Sequence, residues 1–349
     1  MPRRRVNKTL TKTQKRKKEH LEICLDTERV TSASGTGLSH YRFVHNALPD
    51  LDIDEIDLST TFLGKRLRAP ILISSMTGGF DLARKVNRNL AAAAQSLGLA
   101  MGVGSQRVAI EEPSAAVSFE VRDVAPDILL FGNLGAVQLN YGYTVEHCRR
   151  AVSMIGADAL ILHLNVLQEA VQLEGNRNFK GLDGKIAAVC RDLEVPVIAK
   201  EVGNGISVDA AIRLQRAGVK AIDVAGYGGT SWSAVEAQRA AKQGKRPDTA
   251  FADWGIPTEA ALVSVRQALP DIQLIASGGV RSGVDIAKSI ALGADLGAFG
   301  QPLLAAALES SAKVVEFIAG VIHELKVSML CVGAANLTAL RQAPLVRQS

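Results

Sequence analysis

From residue 70 onward the chain repeats one pattern eight times. A short apolar run rich in β-branched residues is followed by a segment whose apolar positions recur every three to four residues. The runs lie at 70–75, 99–104, 127–131, 158–164, 195–200, 221–225, 272–276 and 295–299. The helical patterns lie at 82–97, 113–124, 144–155, 182–193, 207–217, 257–268 and 283–292, with a last one starting at Leu303. Continuous apolar runs mark strands buried on both faces, and helical crossovers between them make those strands parallel. Gly98, Gly156, Gly218 and Gly293 fall at or just past helix ends, where a left-handed residue closes the last turn. Eight βα units are what a closed barrel needs, whereas doubly wound sheets usually have fewer strands and a switch point. The expected fold class is therefore α/β, a (β/α)8 TIM barrel with an N-terminal extension. It divides into a basic flexible leader (1–15), an N-terminal segment (16–69) and the barrel with a C-terminal helix (70–349). Residues 55–61 and 62–67 are expected to form a small hairpin capping the barrel floor.

Charge sharpens this picture. The net +5 comes from 40 basic and 35 acidic residues, yet nine of the bases lie in the first 18 positions, where there is no acid. The remainder carries 31 bases against 35 acids and is mildly acidic. A nucleic-acid binder would show a basic body, so no nucleic-acid partner is expected. The uncharged apolar stretch 296–308 is too short to span a bilayer and contains Gln301 and Pro302, so no membrane association is expected. No apolar run follows the basic start, which excludes a secretory signal but leaves a transit peptide open. The cysteines, Cys24, Cys148, Cys190 and Cys331, form no C-x-x-C pair. A zinc site is not expected, and buried reduced thiols in a cytoplasmic protein are the plain reading.

Barrel chemistry occurs at the C-terminal ends of strands and in the loops beyond them. The first strand runs into Ser75-Met76-Thr77-Gly78-Gly79, the second into Ser105-Gln106-Arg107 and the third into Gly132-Asn133. The fourth supplies His163, Asn165, Gln168 and Glu169, and the fifth Lys200-Glu201. The sixth leads to Gly228-Gly229-Thr230-Ser231-Trp232, the seventh to Ser277-Gly278-Gly279 and the eighth to Gly300-Gln301. Hydroxyl, amide and charged groups at so many strand ends describe an active site. The connections 165–181 and 226–256 are long, as functional loops tend to be.

Gly278-Gly279 lets backbone N–H groups approach an anion, and Arg281 adds charge at the start of the next helix. At this place in a barrel that reads as a phosphate site, with FMN the leading candidate ligand. Lys200 either pairs with Glu201 or Asp223, or serves the barrel mouth as a Schiff-base former or anion stabiliser. Glu169 is the natural Mg²⁺ ligand, because that ion takes one or two carboxylates and completes its shell with substrate phosphates. His163 and Asn165 lie two residues apart and share one side of an extended chain.

Taken together these motifs resemble the type 2 isopentenyl-diphosphate delta-isomerases, flavin-dependent (β/α)8 enzymes. Further marks are Arg16-Lys17-x-x-His20, Gly104-Ser105-Gln106-Arg107, Gly132-Asn133-Leu134-Gly135, Lys200-Glu201-Val202-Gly203, Asp253-Trp254-Gly255-Ile256-Pro257-Thr258, and Glu236 four residues after Trp232. The resemblance implies interconversion of isopentenyl and dimethylallyl diphosphate, with reduced FMN as acid/base, NADPH as electron source and Mg²⁺. It implies that Ser75, Met76, Thr77, Ser105, Asn133, Lys200, Thr230, Gly279, Val280, Arg281, Gly300 and Gln301 hold FMN. Arg16, Lys17, His20, Ser105, Gln106, Arg107 and Gln168 would bind substrate, and Glu169 the metal. His163, Asn165, Gln168, Lys200, Trp232 and Glu236 would form the catalytic pocket. A homotetramer or larger homo-oligomer is also implied. The nearest rival is an FMN-dependent 2-hydroxy-acid oxidase or dehydrogenase. That chemistry needs a His base and an Arg clamp after the sixth strand, where this chain reads Gly226-Tyr227-Gly228-Gly229-Thr230-Ser231-Trp232.

Overall fold

All eight apolar runs form strands, and the strands close on one another. They are β1 (Ile71–Ile73), β2 (Ala100–Gly102), β3 (Leu129–Gly135), β4 (Ala159–Leu164), β5 (Val197–Glu201), β6 (Ala221–Asp223), β7 (Gln273–Ala276) and β8 (Leu296–Phe299). Every neighbouring pair is parallel, and β8 returns to β1 with Phe299 opposite Ile73, completing the barrel. This computed structural model describes residues 11–26, 30–32 and 34–348. Among them no helix is long and apolar enough to cross a membrane.

Register carries the functional consequence. Gly135 pairs with His163, His163 with Lys200, and Lys200 with Asp223. Four chemically distinct positions therefore stand at one level near the C-terminal rim. Toward the other end, Leu72, Ala100, Leu129, Phe131, Ala159, Ile161, Ile198 and Ile275 fill the barrel interior together with Phe62 and Leu67. Those last two come from a hairpin, Thr60–Phe62 against Lys65–Leu67, shorter than the expected 55–61 and 62–67; it turns through Leu63 (φ 46°) and Gly64 (φ 81°), so Phe62 ends its first strand instead of opening its second. Phe62 and Leu67 plug the floor, so the barrel opens at the opposite end.

The helix expected at 113–124 is instead a short helix, Arg107–Glu111, followed by a 3-10 turn, Pro113–Ser118. Pro113 has no N–H and pushes Glu112 out of the helical region (φ −131°, ψ 93°), which divides the pattern. The terminal helix is also divided, into Leu304–Glu309 and Ser311–Leu330, with Ser310 extended and capping the second piece. Both long connections hold helices that apolar spacing did not reveal, Val166–Val171 and Trp232–Lys242.

The leader boundary at residue 15 needs correction. Helix α1 (Lys12–Leu25) already begins at Lys12, because Thr11 and Gln14 form a reciprocal capping box. Gln14 Nε2 also donates to the Gly79 carbonyl at 2.9 Å, tying this turn to the barrel rim. The expected leader residues 1–10 lie outside the described residues.

Candidate active site

The open end of the barrel holds a cavity of ≈ 280 Å³, roofed by α1 and walled by the strand ends. Of the residues expected to hold FMN, all twelve line it: Ser75, Met76, Thr77, Ser105, Asn133, Lys200, Thr230, Gly279, Val280, Arg281, Gly300 and Gln301. Arg16, Lys17, His20 and Arg107 line it from the roof side, and His163, Asn165, Gln168, Glu169 and Trp232 from the wall. Residues that spacing did not single out, Ser74, Gln138 and Gln172 among them, also face it. Gln172 was legible in principle, since it lies four residues after Gln168 on the same helical side.

Two expected site residues stand behind the wall. Gln106 is fully buried, and its Nε2 donates to the Ala151 carbonyl at 2.7 Å while its Oε1 accepts the Asn133 N–H at 2.9 Å. Its side chain thus braces β3 and the neighbouring helix, and it is not among the residues that line the cavity. Glu236 does not line the cavity either, but it grips residues that do. Its carboxylate is 2.9 Å from His20 Nε2 and accepts from Gln168 Nε2 at 3.4 Å and from the Gln172 amide nitrogen at 3.1 Å. Burial alone would raise its pKa, but the His20 hydrogen bond and the charges of His20 and Arg239 leave it lowered.

Roof and wall differ in electrostatics. Lys17 Nζ donates to the Ser105 carbonyl at 2.6 Å and lies 5.2 Å from the centre of the Phe119 ring. Burial, then the charges of Arg16 and Arg107, lower its pKa to about 7. Arg16 is lowered too, by burial and by Arg107. Arg16 and Lys17 from α1 meet Arg107, itself paired with Glu111 at 2.7 Å, on this side of the cavity, and the three cations together suit an anion. On the wall, His163 Nδ1 is 2.7 Å from Asn133 Oδ1, which accepts its proton and leaves Nε2 as the free acceptor of the neutral ring. Burial and the charges of Lys200 and Lys17 lower the His163 pKa to about 4, so the ring is neutral at pH 7. Of the two ion-pair partners considered for Lys200, Asp223 is the one it takes. It pairs with Asp223 at 3.2 Å and donates to the Glu201 carbonyl at 2.9 Å, yet it also faces the cavity.

At the expected phosphate end, Gly278 (φ 96°) and Gly279 (φ 80°) adopt left-handed conformations. A Cβ on Gly279 would lie 2.4 Å from the Gly228 carbonyl oxygen, so only glycine fits between the cavity and the loop behind it. The helix that follows does not offer its N-terminus: Asp285 accepts from Arg281 N at 3.0 Å and Ser282 N at 3.2 Å, and Glu324 accepts from Gly283 N at 2.7 Å. The anion contacts available here are therefore the glycine backbone and the Arg281 side chain, without the helix start.

These features fit FMN. Ser75 Oγ is buried against the cavity with no partner among the described residues, glycines line the phosphate end, and Lys200 and Arg281 supply positive charge. They also fit a single Mg²⁺ shared with a ligand. Glu169 accepts from Asn176 N at 2.5 Å and Asn165 Nδ2 at 3.2 Å and keeps lone pairs free, while Asn165 Oδ1 is buried and unpartnered. Among the described residues no group of three or more His, Cys, Asp or Glu could cage a metal unaided. Ligand oxygens would have to complete the shell, as Mg²⁺ permits.

Known proteins resemble the chain at two levels. The fold matches a solved mandelate oxidase with a TM-score of 0.64 at 18% identity, covering 97% of this chain and 99% of that one. Sequence similarity is far stronger elsewhere. An isopentenyl-diphosphate delta-isomerase of Nostoc sp. is 53% identical over 332 residues, 95% of each chain. One from Stutzerimonas stutzeri is 54% identical over 336 residues, 96% of this chain and 97% of the other. The family model described as FMN-dependent dehydrogenase matches residues 11–125 and 147–347. The chain belongs to this FMN-dependent family and, within it, to the isopentenyl-diphosphate delta-isomerases.

Proposed function

We propose that the chain interconverts isopentenyl and dimethylallyl diphosphate by a 1,3-allylic proton shift, using reduced FMN, with NADPH as electron source and Mg²⁺ as cofactor. The observation that carries this reading is one cavity lined by two groups of cations from different elements. Arg281 and the Gly278-Gly279 backbone come from the loop after β7, whereas Arg16 and Lys17 come from α1 and Arg107 from the segment after β2. One group suits the FMN phosphate and the other a substrate diphosphate.

Bound in its reduced form, FMN would supply the proton donor and acceptor that an unactivated alkene needs close by. The residues of this chain prepare that encounter. Ser75, Met76, Thr77, Ser105, Asn133, Thr230, Gly279, Val280, Gly300 and Gln301 would cradle the cofactor. Lys200 would favour a negatively charged ring. Arg16, Lys17, His20, Ser105 and Arg107 would grip the diphosphate from the roof, and Glu169 would hold Mg²⁺ on it. Gln168, Asn165 and Trp232 would bound the hydrocarbon tail, and neutral His163 would present a proton acceptor without adding a cation. Residues of α1 line the cavity beside them.

The same fold serves mandelate oxidase, so fold alone does not choose between isomerase and 2-hydroxy-acid oxidase. The 226–232 segment, which contributes Gly229, Thr230 and Trp232 to the cavity, carries neither His nor Arg and argues against hydroxyl-proton abstraction there. The test is a flavin absorption spectrum of the purified protein, followed by assay of allylic diphosphate formation under anaerobic reduction by NADPH. A colourless protein, or one that stays inactive when reduced, contradicts the proposal.

A further inference from the structure

Arg239 lies outside the cavity, 5% exposed, one helical turn beyond Glu236. Its Nε donates to Glu19 Oε2 at 2.8 Å, on α1. Its Nη1 and Nη2 fork onto Glu174 at 2.9 and 3.0 Å, in the connection after β4. Nη1 is also 3.4 Å from Glu236 Oε2. One guanidinium thus joins three elements, each of which delivers groups to the cavity: α1 with Arg16, Lys17 and His20, the connection with Gln168 and Gln172, and its own helix with Trp232.

Helix α1 needs such a tie. Lys15, Arg16, Lys17 and Lys18 stand in succession in its first half, with no acid in the first turn. Cations at a helix N-terminus oppose the helix dipole, and like charges repel one another there. Its apolar contact with the Trp232–Lys242 helix is one cluster, Ile23 and Cys24 against Val235 and Trp232 with Val30 beside them, and His20 meets Trp232 edge-on at 5.3 Å. Glu19 and His20 are adjacent, and they reach Arg239 and Glu236 respectively, one turn apart on the facing helix. The Glu174 carboxyl is held below its usual range, first by the Arg239 hydrogen bond, so this tie stays ionised at neutral pH.

We propose that Arg239 is a positioning residue, a latch that holds α1 closed so that its cations meet the substrate diphosphate. This rests on the proposed function for the identity of the anion, but the latch itself is a property of the free protein. A planar fork suits the task better than an ammonium, since it serves Glu19 and Glu174 at once with fixed geometry.

The test uses the full-length FMN-loaded protein, with inorganic pyrophosphate as probe. Amide hydrogen exchange in residues 14–25 should quicken roughly tenfold in both Glu19→Gln and Arg239→Gln, with residues 81–97 unchanged, and pyrophosphate affinity should fall roughly tenfold in each. The double variant should be no weaker than Arg239→Gln alone, because both changes open one latch. The inference is overturned if Glu19→Gln leaves α1 exchange unchanged, if α1 loosens without loss of pyrophosphate affinity, or if the two losses multiply. Loosening with weakened pyrophosphate binding, in a protein that performs no isomerisation, would keep the latch and refute the proposed function instead.

Discussion

Lys200 and Asp223 stand opposite each other on β5 and β6, and their charged groups are 3.2 Å apart. Ser277 Oγ, on the loop after β7, donates to Asp223 Oδ1 at 2.6 Å and lies 3.4 Å from Lys200 Nζ. Asp223 is fully buried. Three consecutive strand ends therefore share one charge balance directly below the cavity, and the lysine offered to a ligand is the partner on which a buried carboxylate depends.

Removing one member of a buried pair strands the other, at a cost of about 3–5 kcal/mol. Lys200→Met should accordingly destabilise the protein by roughly 3 kcal/mol. Lys200→Met combined with Asp223→Asn should recover more than half of that loss. Chemical denaturation of the four proteins in the double-mutant cycle checks this. Additive losses would mean that the two side chains are not coupled.

Lys17 makes anion binding pH-dependent. Its pKa of about 7, against the ordinary 10.5, means that the free protein increasingly lacks this charge as pH rises above 7. The unfolded chain binds more protons between 7 and 10.5, so this group's contribution to stability rises with pH across that window. A bound diphosphate favours the ammonium and should draw a proton back. Pyrophosphate binding at pH 8 should therefore take up close to one proton, measurable by calorimetry in buffers of different ionisation enthalpy. Lys17→Arg should abolish the uptake, since the guanidinium stays charged.

The two glycine contacts at the phosphate end should respond differently to a methyl group. Gly279→Ala puts Cβ 2.4 Å from the Gly228 carbonyl oxygen at a positive φ, a strain of about 1–3 kcal/mol or more. It should purify largely without flavin. In Gly300→Ala the Cβ meets Met76 Cγ at 3.0 Å, and a flexible methionine can move aside. That variant should keep most of its FMN, as judged by the ratio of flavin to protein absorbance.

Glu169→Gln keeps the shape of the side chain and removes its charge. The concentration of Mg²⁺ giving half-maximal activity should rise at least tenfold, because Glu169 is the one carboxylate among the described residues that line the cavity. An unchanged requirement, read from activity against free Mg²⁺, would remove Glu169 from the metal site.

The strands were legible because both of their faces are buried, which writes them as unbroken apolar runs. The floor hairpin was legible as an element but not in its register, since its turn falls at Leu63-Gly64 and not between Thr61 and Phe62. The helix Trp232–Lys242 was hidden because it starts inside a glycine-rich run, where the Ser231 hydroxyl accepts from Ala234 N and caps it. The leader boundary was misread because the charge run masked the capping box of Thr11 and Gln14. Spacing did not separate Gln106 from its neighbours: Ser105 and Arg107 face the cavity, and the residue between them turns into the wall. Glu236, Gln172 and Arg239 meet across two helices, and one-dimensional spacing does not record which helices touch.

The central claim is tested most directly by incubating the anaerobically reduced holoenzyme with isopentenyl diphosphate and Mg²⁺ in D₂O and analysing the product by mass spectrometry and NMR. Dimethylallyl diphosphate carrying solvent deuterium, formed with no net consumption of reductant, is the predicted result. An unchanged substrate, in a protein whose oxidised flavin is instead reduced by mandelate or lactate, would contradict it.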